Sequence, residues 1–199
     1  FDDNYINHDG DYPGELESYG INGITSNWGI LNRNHFNSSD GSAAVKIDNS
    51  YTYVWNSEIS LMAQNDIAGV RINGSMGSQI EYNDIEASQS SGTESFGIVL
   101  SGTGGVDVNC NDIYELEDGI VALDNTMGLN MQTNNLYSLG KGIKLENSMV
   151  GPQEHFGNIF YGPFSTADIY AVDMSTTDLL NSKFTVDSEE NELFLPEVV

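Results

Sequence analysis

The chain has 199 residues, with 30 Asp and Glu against 6 Lys and Arg, a formal net charge of −24, 21 Gly, 4 Pro and one Cys. That length suits one domain or a fragment of a larger chain, and six basic residues are too few to displace counterions from nucleic-acid phosphates or to hold an anionic membrane. A single Cys excludes an internal disulfide framework and any multi-Cys zinc site, and no apolar run reaches the roughly 18 residues of a membrane-spanning helix.

Acidity alone would suit a disordered chain, but the hydrophobic fraction is 39%, with 10 Tyr, 8 Phe and 2 Trp spread along the length. Abundant Asn, Gly and Ser weigh against long helices, so the expectation is strand and turn. The first residue is Phe1 rather than Met and no signal peptide is visible, which reads as a mature or excised segment.

In chain order, Asn4-Tyr5-Ile6 reads as the tail of one repeat copy. Looser copies follow as Gly20-Ile21 with Asn34-His35-Phe36, and Ala44-Val45-Lys46-Ile47 with Ser57-Glu58-Ile59. Then come Gly69-Val70-Arg71-Ile72 with Asn83-Asp84-Ile85, and Gly97-Ile98-Val99-Leu100 with Asn111-Asp112-Ile113. Gly119-Ile120 with Asn134-Asn135-Leu136, and Gly142-Ile143-Lys144-Leu145 with Asn158-Ile159-Phe160, complete the clear set, and residues 166–184 read as a degenerate last copy. Successive copies are spaced by 24, 25, 28, 22 and 23 residues, a solenoid period. The segments alternate apolar and polar, which excludes helical repeats, and the Leu-x-x-Leu-x-Leu frame of leucine-rich repeats is absent.

This pattern, over roughly residues 20–160, resembles the right-handed parallel β-helix repeat of pectate-lyase-like proteins. The resemblance implies an all-β, right-handed parallel β-helix solenoid of about seven coils, about 34 Å long at the usual strand spacing. It does not imply a function, because lyases, hydrolases, tailspikes and inert stalks share that fold. Within each copy the two apolar residues after Gly point inward, Gly admits the turn into the strand, and the Asn sits at a bend, where it tolerates an unusual backbone angle and amides of neighbouring coils can form a ladder. Cys110, just before a ladder Asn, reads as a small core residue. The connections after Ile6, Phe36, Ile59 and Ile85 run 13, 7, 9 and 11 residues, against five after Ile113 and Leu136, so the first half is the elaborated half.

Three outward features follow from the register. Aligning Val54 with Ile80, Val108 and Met131 turns Tyr51, Tyr53 and Trp55 outward, with Trp28 beside Tyr51 and Ile30 beside Tyr53 one coil earlier. Such an aromatic strip stacks on sugar rings or anchors a protein, unless residues 7–19 or 37–43 fold over it. Lys46, Arg71 and Lys144 share a second column, with Asn22, Val99 and Val121 on the other rungs. β-Helix lyases use such a basic residue near bound metal; simple charge compensation explains the column equally. Glu58, Asp84 and Asp112 share a third column, where stacked carboxylates repel unless a cation lies between them, and all-oxygen ligands suit Ca²⁺. The segment Asn7-His8-Asp9-Gly10-Asp11, with Glu15 and Glu17, is a second oxygen-rich candidate without EF-hand spacing.

Catalytic motifs are sparse. Asp2-Asp3 is the only Asp pair, no Gly-His-Gly exists, Arg71-Ile72-Asn73 stops short of an Arg-Ile-Lys, and the three His fall in different copies. No nucleophile elbow or phosphate loop stands out, so no catalytic residue is assigned. Residues 1–186 form the expected β-helix, and 187–199 an acidic turn and an extended tail or linker. The closing phrase resembles the ends of β-helix segments in very large secreted proteins of Bacteroidetes-type bacteria, which implies export and further modules. The leading expectation is a non-catalytic, secreted or cell-surface structural or adhesive module. Its partners would be neighbouring modules of a longer chain or like subunits, and a polysaccharide. The alternative is a carbohydrate-active enzyme, with Arg71, Lys46 and the acid column as its only machinery; a Ca²⁺-stiffened spacer is the third.

Overall fold

A computed structural model of the chain describes residues 5–8, 19–24, 29–32, 34–38, 43–62, 67–87, 94–137, 140–151, 157–162, 164, 166–173, 186–187 and 197–198. Among the described residues there are only strands, turns and bends, and every strand pairing is parallel. The chain winds as a right-handed β-solenoid, the hand that parallel crossovers adopt almost without exception. Three sheets form its walls. Sheet 1 carries Glu58–Leu61, Asp84–Ala87, Asp112–Tyr114, Asn135–Tyr137 and Asn158–Tyr161 among its eight strands. Sheet 2, also of eight, carries Ala43–Asp48, Ile67–Asn73, Ser95–Ser101, Asp118–Leu123 and Lys141–Glu146. Sheet 3, of six, carries Thr52–Trp55, Gln79–Glu81, Asp107–Asn109 and Met127–Gln132 and ends at Met149–Val150.

Four coils, residues 43–61, 67–87, 95–114 and 118–137, are described with all three strands and every residue between them. Among the described residues about four turns are unbroken, against the seven coils expected. The repeat phrase marks a strand of sheet 2 followed by one of sheet 1, and such a pair does not by itself guarantee a closed coil. Sheets 1 and 2 continue past the end of sheet 3, as far as Val186–Asp187 and Glu197–Val198.

The core is built rung by rung. Val45, Val70, Ile98, Ile120 and Ile143 are consecutive register partners on sheet 2, and Ile59, Ile85, Ile113, Leu136 and Phe160 on sheet 1. Val54, Ile80, Val108 and Met131 complete the third wall in the alignment expected. All of these side chains are buried in one cluster. Gly at the head of the repeat phrase serves this packing rather than a special backbone angle. A Cβ on Gly69 would stand 2.7 Å from Ile85 Cγ2 and 2.8 Å from the Gly97 carbonyl oxygen. On Gly97 it would stand 2.8 Å from Ile113 Cγ2 and 2.5 Å from the Gly119 carbonyl oxygen. Sheets 1 and 2 therefore interlock, isoleucine into glycine.

The amide ladder forms between buried Asn83, Asn111, Asn134 and Asn158, with Ser57 as the next rung. The Nδ2 of Asn83, Asn111 and Asn134 each donates to the Oδ1 one coil on and to a carbonyl one coil back, for Asn134 Asn158 Oδ1 at 2.8 Å and Val108 O at 2.7 Å, while Asn158 Nδ2 donates back to Met131 O at 2.9 Å. The unusual backbone angle falls not on the ladder Asn but on the residue before it: φ is 50° at Asn56, 58° at Tyr82, 56° at Cys110 and 52° at Thr133. A side chain in that left-handed region costs about 1–2 kcal/mol, which the satisfied ladder offsets. Cys110 is accordingly no core residue. It is half-exposed at the bend, with Sγ 3.0 Å from Thr133 Oγ1.

Candidate functional site

The outer face of sheet 3 holds the aromatic strip. Tyr53 is followed coil by coil by Gln79, Asp107 and Asn130, and Trp55 by Glu81, Asn109 and Gln132. Tyr51 and Tyr53 meet edge to face at 5.3 Å, and the Tyr51 hydroxyl donates to that of Tyr53 at 2.8 Å. That hydrogen bond is the first cause raising the Tyr51 phenol above its ordinary range, followed by burial and by the charge of Asp107. Gly77 leaves room beneath the Tyr51 ring, since a Cβ there would stand 3.2 Å from Tyr51 Cε2. Trp55 and Tyr82 meet at 6.5 Å and are 47% and 54% exposed, so two large rings stand open to solvent in adjacent coils. Tyr53, Val54, Trp55, Gln79 and Glu81 line an open pocket of about 200 Å³ between them.

Of the expected strip, Tyr53 and Trp55 share one pocket and Tyr51 adjoins them; Ile30 is the register partner of Tyr53. Trp28 lies outside the described residues. Tyr82 was not anticipated. It occupies the left-handed bend beside the ladder, a position where sequence periodicity predicts a turn residue rather than an exposed ring.

On the outer face of sheet 1, Glu58, Asp84 and Asp112 are consecutive register partners, as expected. Burial first, then the charges of Asp112 and Glu58, raises the Asp84 carboxyl above its ordinary value. An open pocket of about 330 Å³ is lined by Glu58, Ser60, Asp84, Glu86 and Tyr114. Among the described residues no group of three acids, His or Cys is placed to hold a metal ion. Beside this column Tyr114, Tyr137 and Tyr161 form a stack, with ring centroids 4.6 and 4.4 Å apart and planes within 9°. Burial, then Asp112 and the two flanking phenols, pushes Tyr137 up to about 12. This stack was not anticipated, although its signal is simple: each Tyr stands three residues after a ladder Asn. Of the acid-rich Asn7–Asp11 segment, only the backbone of Asn7 and His8 falls within the described residues.

The basic column on sheet 2 has the expected register, Lys46–Arg71–Val99–Val121–Lys144. Its middle is not exposed. Val99 and Val121 are buried with Ala43 and Ala68 in a second apolar cluster outside the main core. Lys46 pairs with Asp48 at 3.7 Å and Lys144 with Glu146 at 3.1 Å, each within its own strand. Among the described residues the best-buried ion pair is a different one, Lys141 to Asp118 at 2.8 Å. Burial dominates there and holds the Asp118 carboxyl above its ordinary value despite the adjacent ammonium. Neither described pocket includes Lys46 or Arg71.

Elsewhere the acid coat is organised by amides. Asn73 Nδ2 donates to Asp48 at 2.7 Å, Asn109 to Glu81 at 3.1 Å, Asn130 to Asp107 at 3.2 Å and Asn135 to Asp112 at 2.6 Å. A charged acceptor and a neutral donor on adjacent coils replace carboxylate repulsion with a charge-assisted hydrogen bond. Glu58, Asp84 and Asp112 are where acids follow one another without such an interruption.

No protein family, curated protein or solved structure matches this chain. The parallel β-solenoid is therefore established by the strand pairing itself, and function must be argued from the side chains.

Proposed function

We propose that this chain is a non-catalytic, glycan-binding β-solenoid module of a secreted or cell-surface protein. The observation that carries the reading is the pair of open rings, Trp55 and Tyr82, of which Trp55 lines a pocket with Tyr53, Gln79 and Glu81. Exposed aromatic surface is costly in water unless a partner covers it. Sugar rings fit such a surface because their C–H faces stack on indole and phenol while their hydroxyls bond to neighbouring amides and carboxylates. The net charge of −24 and the closing phrase that resembles exported bacterial surface proteins support an extracellular setting. The longer chain's neighbouring modules, or like subunits stacked on the sheet edges, are the structural partners of this reading. Calorimetric titration with a panel of soluble polysaccharides tests it. Wild type should bind at least one, and Trp55→Ala should weaken binding about tenfold or more. Binding to none, or binding indifferent to Trp55, overturns it.

A second reading, polysaccharide hydrolysis, draws on one observation: Asp84, a carboxyl with a raised pKa, lies in the sheet 1 pocket beside Glu58 and Glu86. Release of reducing ends from a polysaccharide, abolished by Asp84→Asn, would support it. The absence of release would leave binding as the activity.

A further inference from the structure

We propose that the ligand of the sheet 3 strip is an uncharged, hydroxyl-rich glycan lying along the Thr52–Trp55 strand, across the solenoid axis, and that uronate polymers are excluded. This deepens the glycan-binding reading and rests on it. Direction comes from the placement of the rings. Tyr53 and Trp55 alternate along the Thr52–Trp55 strand with Tyr51 just before it, and residues 51–55 span about 13 Å at ordinary strand rise, the reach of a short oligosaccharide. In the next coils the equivalents of Tyr53 and Trp55 are polar, Gln79 and Glu81 and then Asp107 and Asn109, so among the described residues the aromatic surface runs on along the axis only through Tyr82. Tyr82 adds a ring only at the Trp55 end.

Charge sets the class. The polar groups beside the rings are the carboxylates of Glu81 and Asp107 and the amides of Gln79 and Asn109. Asn109 and Asn130 already donate to those carboxylates, which fixes them in place as acceptors. Asp107 is near enough for its charge to bear on the Tyr51 phenol. Sugar hydroxyls donate to such acceptors, whereas a uronate presents a carboxylate to each of them. Among the described residues the basic side chains, Lys46, Arg71, Lys141 and Lys144, stand on sheet 2, a different wall; Arg33 and Lys183 lie outside the described residues.

The test uses the full chain, a soluble neutral β-glucan or mannan, and polygalacturonate of similar length, titrated calorimetrically at low and high salt. At least one neutral polymer is expected to bind, with polygalacturonate about tenfold or more weaker at low salt. Glu81→Gln combined with Asp107→Asn should narrow that gap by raising polygalacturonate affinity about tenfold at low salt. Circular dichroism checks that each variant keeps its strands. Polygalacturonate binding as tight as the neutral polymer, and sensitive to Trp55→Ala, would overturn the class but leave the glycan site standing. A gap unchanged in the double variant would overturn the charge argument. If no polymer binds, or Trp55→Ala changes nothing, the glycan reading itself fails.

Discussion

Asn111 holds Asn83 by two hydrogen bonds at once: its Oδ1 accepts the Asn83 side-chain Nδ2 at 2.9 Å and the Asn83 backbone N–H at 3.1 Å. The same side chain donates onward to Asn134 Oδ1 at 2.9 Å and back to the Ile80 carbonyl at 2.8 Å. One buried amide thus ties together consecutive coils on both sides. Asn111→Ala leaves several buried donors and acceptors without partners, and the expected loss is on the order of 3 kcal/mol. Chemical denaturation should show a lower midpoint; an unchanged midpoint would mean that the ladder adds nothing to stability.

The two kinds of glycine in this chain separate experimentally. Gly97→Ala drives a methyl into Ile113 and the Gly119 carbonyl and should cost about 1–3 kcal/mol by overpacking. Gly105→Ala meets nothing within 4 Å, and its φ of 59° should cost about 1 kcal/mol through the backbone alone. The midpoints of the two variants measure the difference. Equal losses would contradict the assignment of Gly97 to clearance between sheets.

The Asp84 carboxyl has a native pKa raised above its ordinary 3.8, so folding favours its protonated form. Its contribution is present below pH 3.8 and is lost as pH rises through the raised native value. Asp84→Asn should therefore be more stable than wild type at neutral pH, and the difference should close as pH falls toward 3.8. High salt should shrink it. Thermal melts of both proteins across that window decide the matter, and a variant less stable than wild type at neutral pH would refute the repulsion argument.

Tyr137 stands in the middle of the phenol stack with its pKa pushed up to about 12, from an ordinary 10.0. Folding favours the neutral phenol, so stability should fall as pH climbs from 10.0 toward about 12. Alkaline difference spectroscopy should resolve a late-ionising phenol that Tyr137→Phe removes. A single transition near 10.0 for all tyrosines would show that the stack does not perturb its members.

Much of this architecture could be read from residue order. The register of Val54, Ile80, Val108 and Met131 follows from alternation alone, because a slip by one residue would turn buried side chains into solvent. The Asn ladder was legible because its amides recur at one point of every copy. Periodicity failed where the outer surface is itself buried. Val99 and Val121 occupy outward positions, yet they pack with Ala43 and Ala68, and alternation cannot register a second apolar layer. It failed also at the bends, where Tyr82 and Cys110 take the left-handed angle that Asn was expected to take. The exposed ring of Tyr82 went unseen for that reason, and it is half of the open surface at the candidate site. The ion pair of Lys141 and Asp118 was missed because their partnership depends on cross-coil register at positions outside the repeat phrase.

The seating of Ile85 and Ile113 against Gly69 and Gly97 has a mechanical consequence. Sheets held only by smooth apolar contact can shear past one another. Here the isoleucine side chains of one wall act as teeth in a slot cut along the other, and the slot recurs in successive coils. Torsion about the long axis would have to lift every tooth together. A solenoid built this way would resist twisting about its length more than one whose sheets meet on smooth apolar faces.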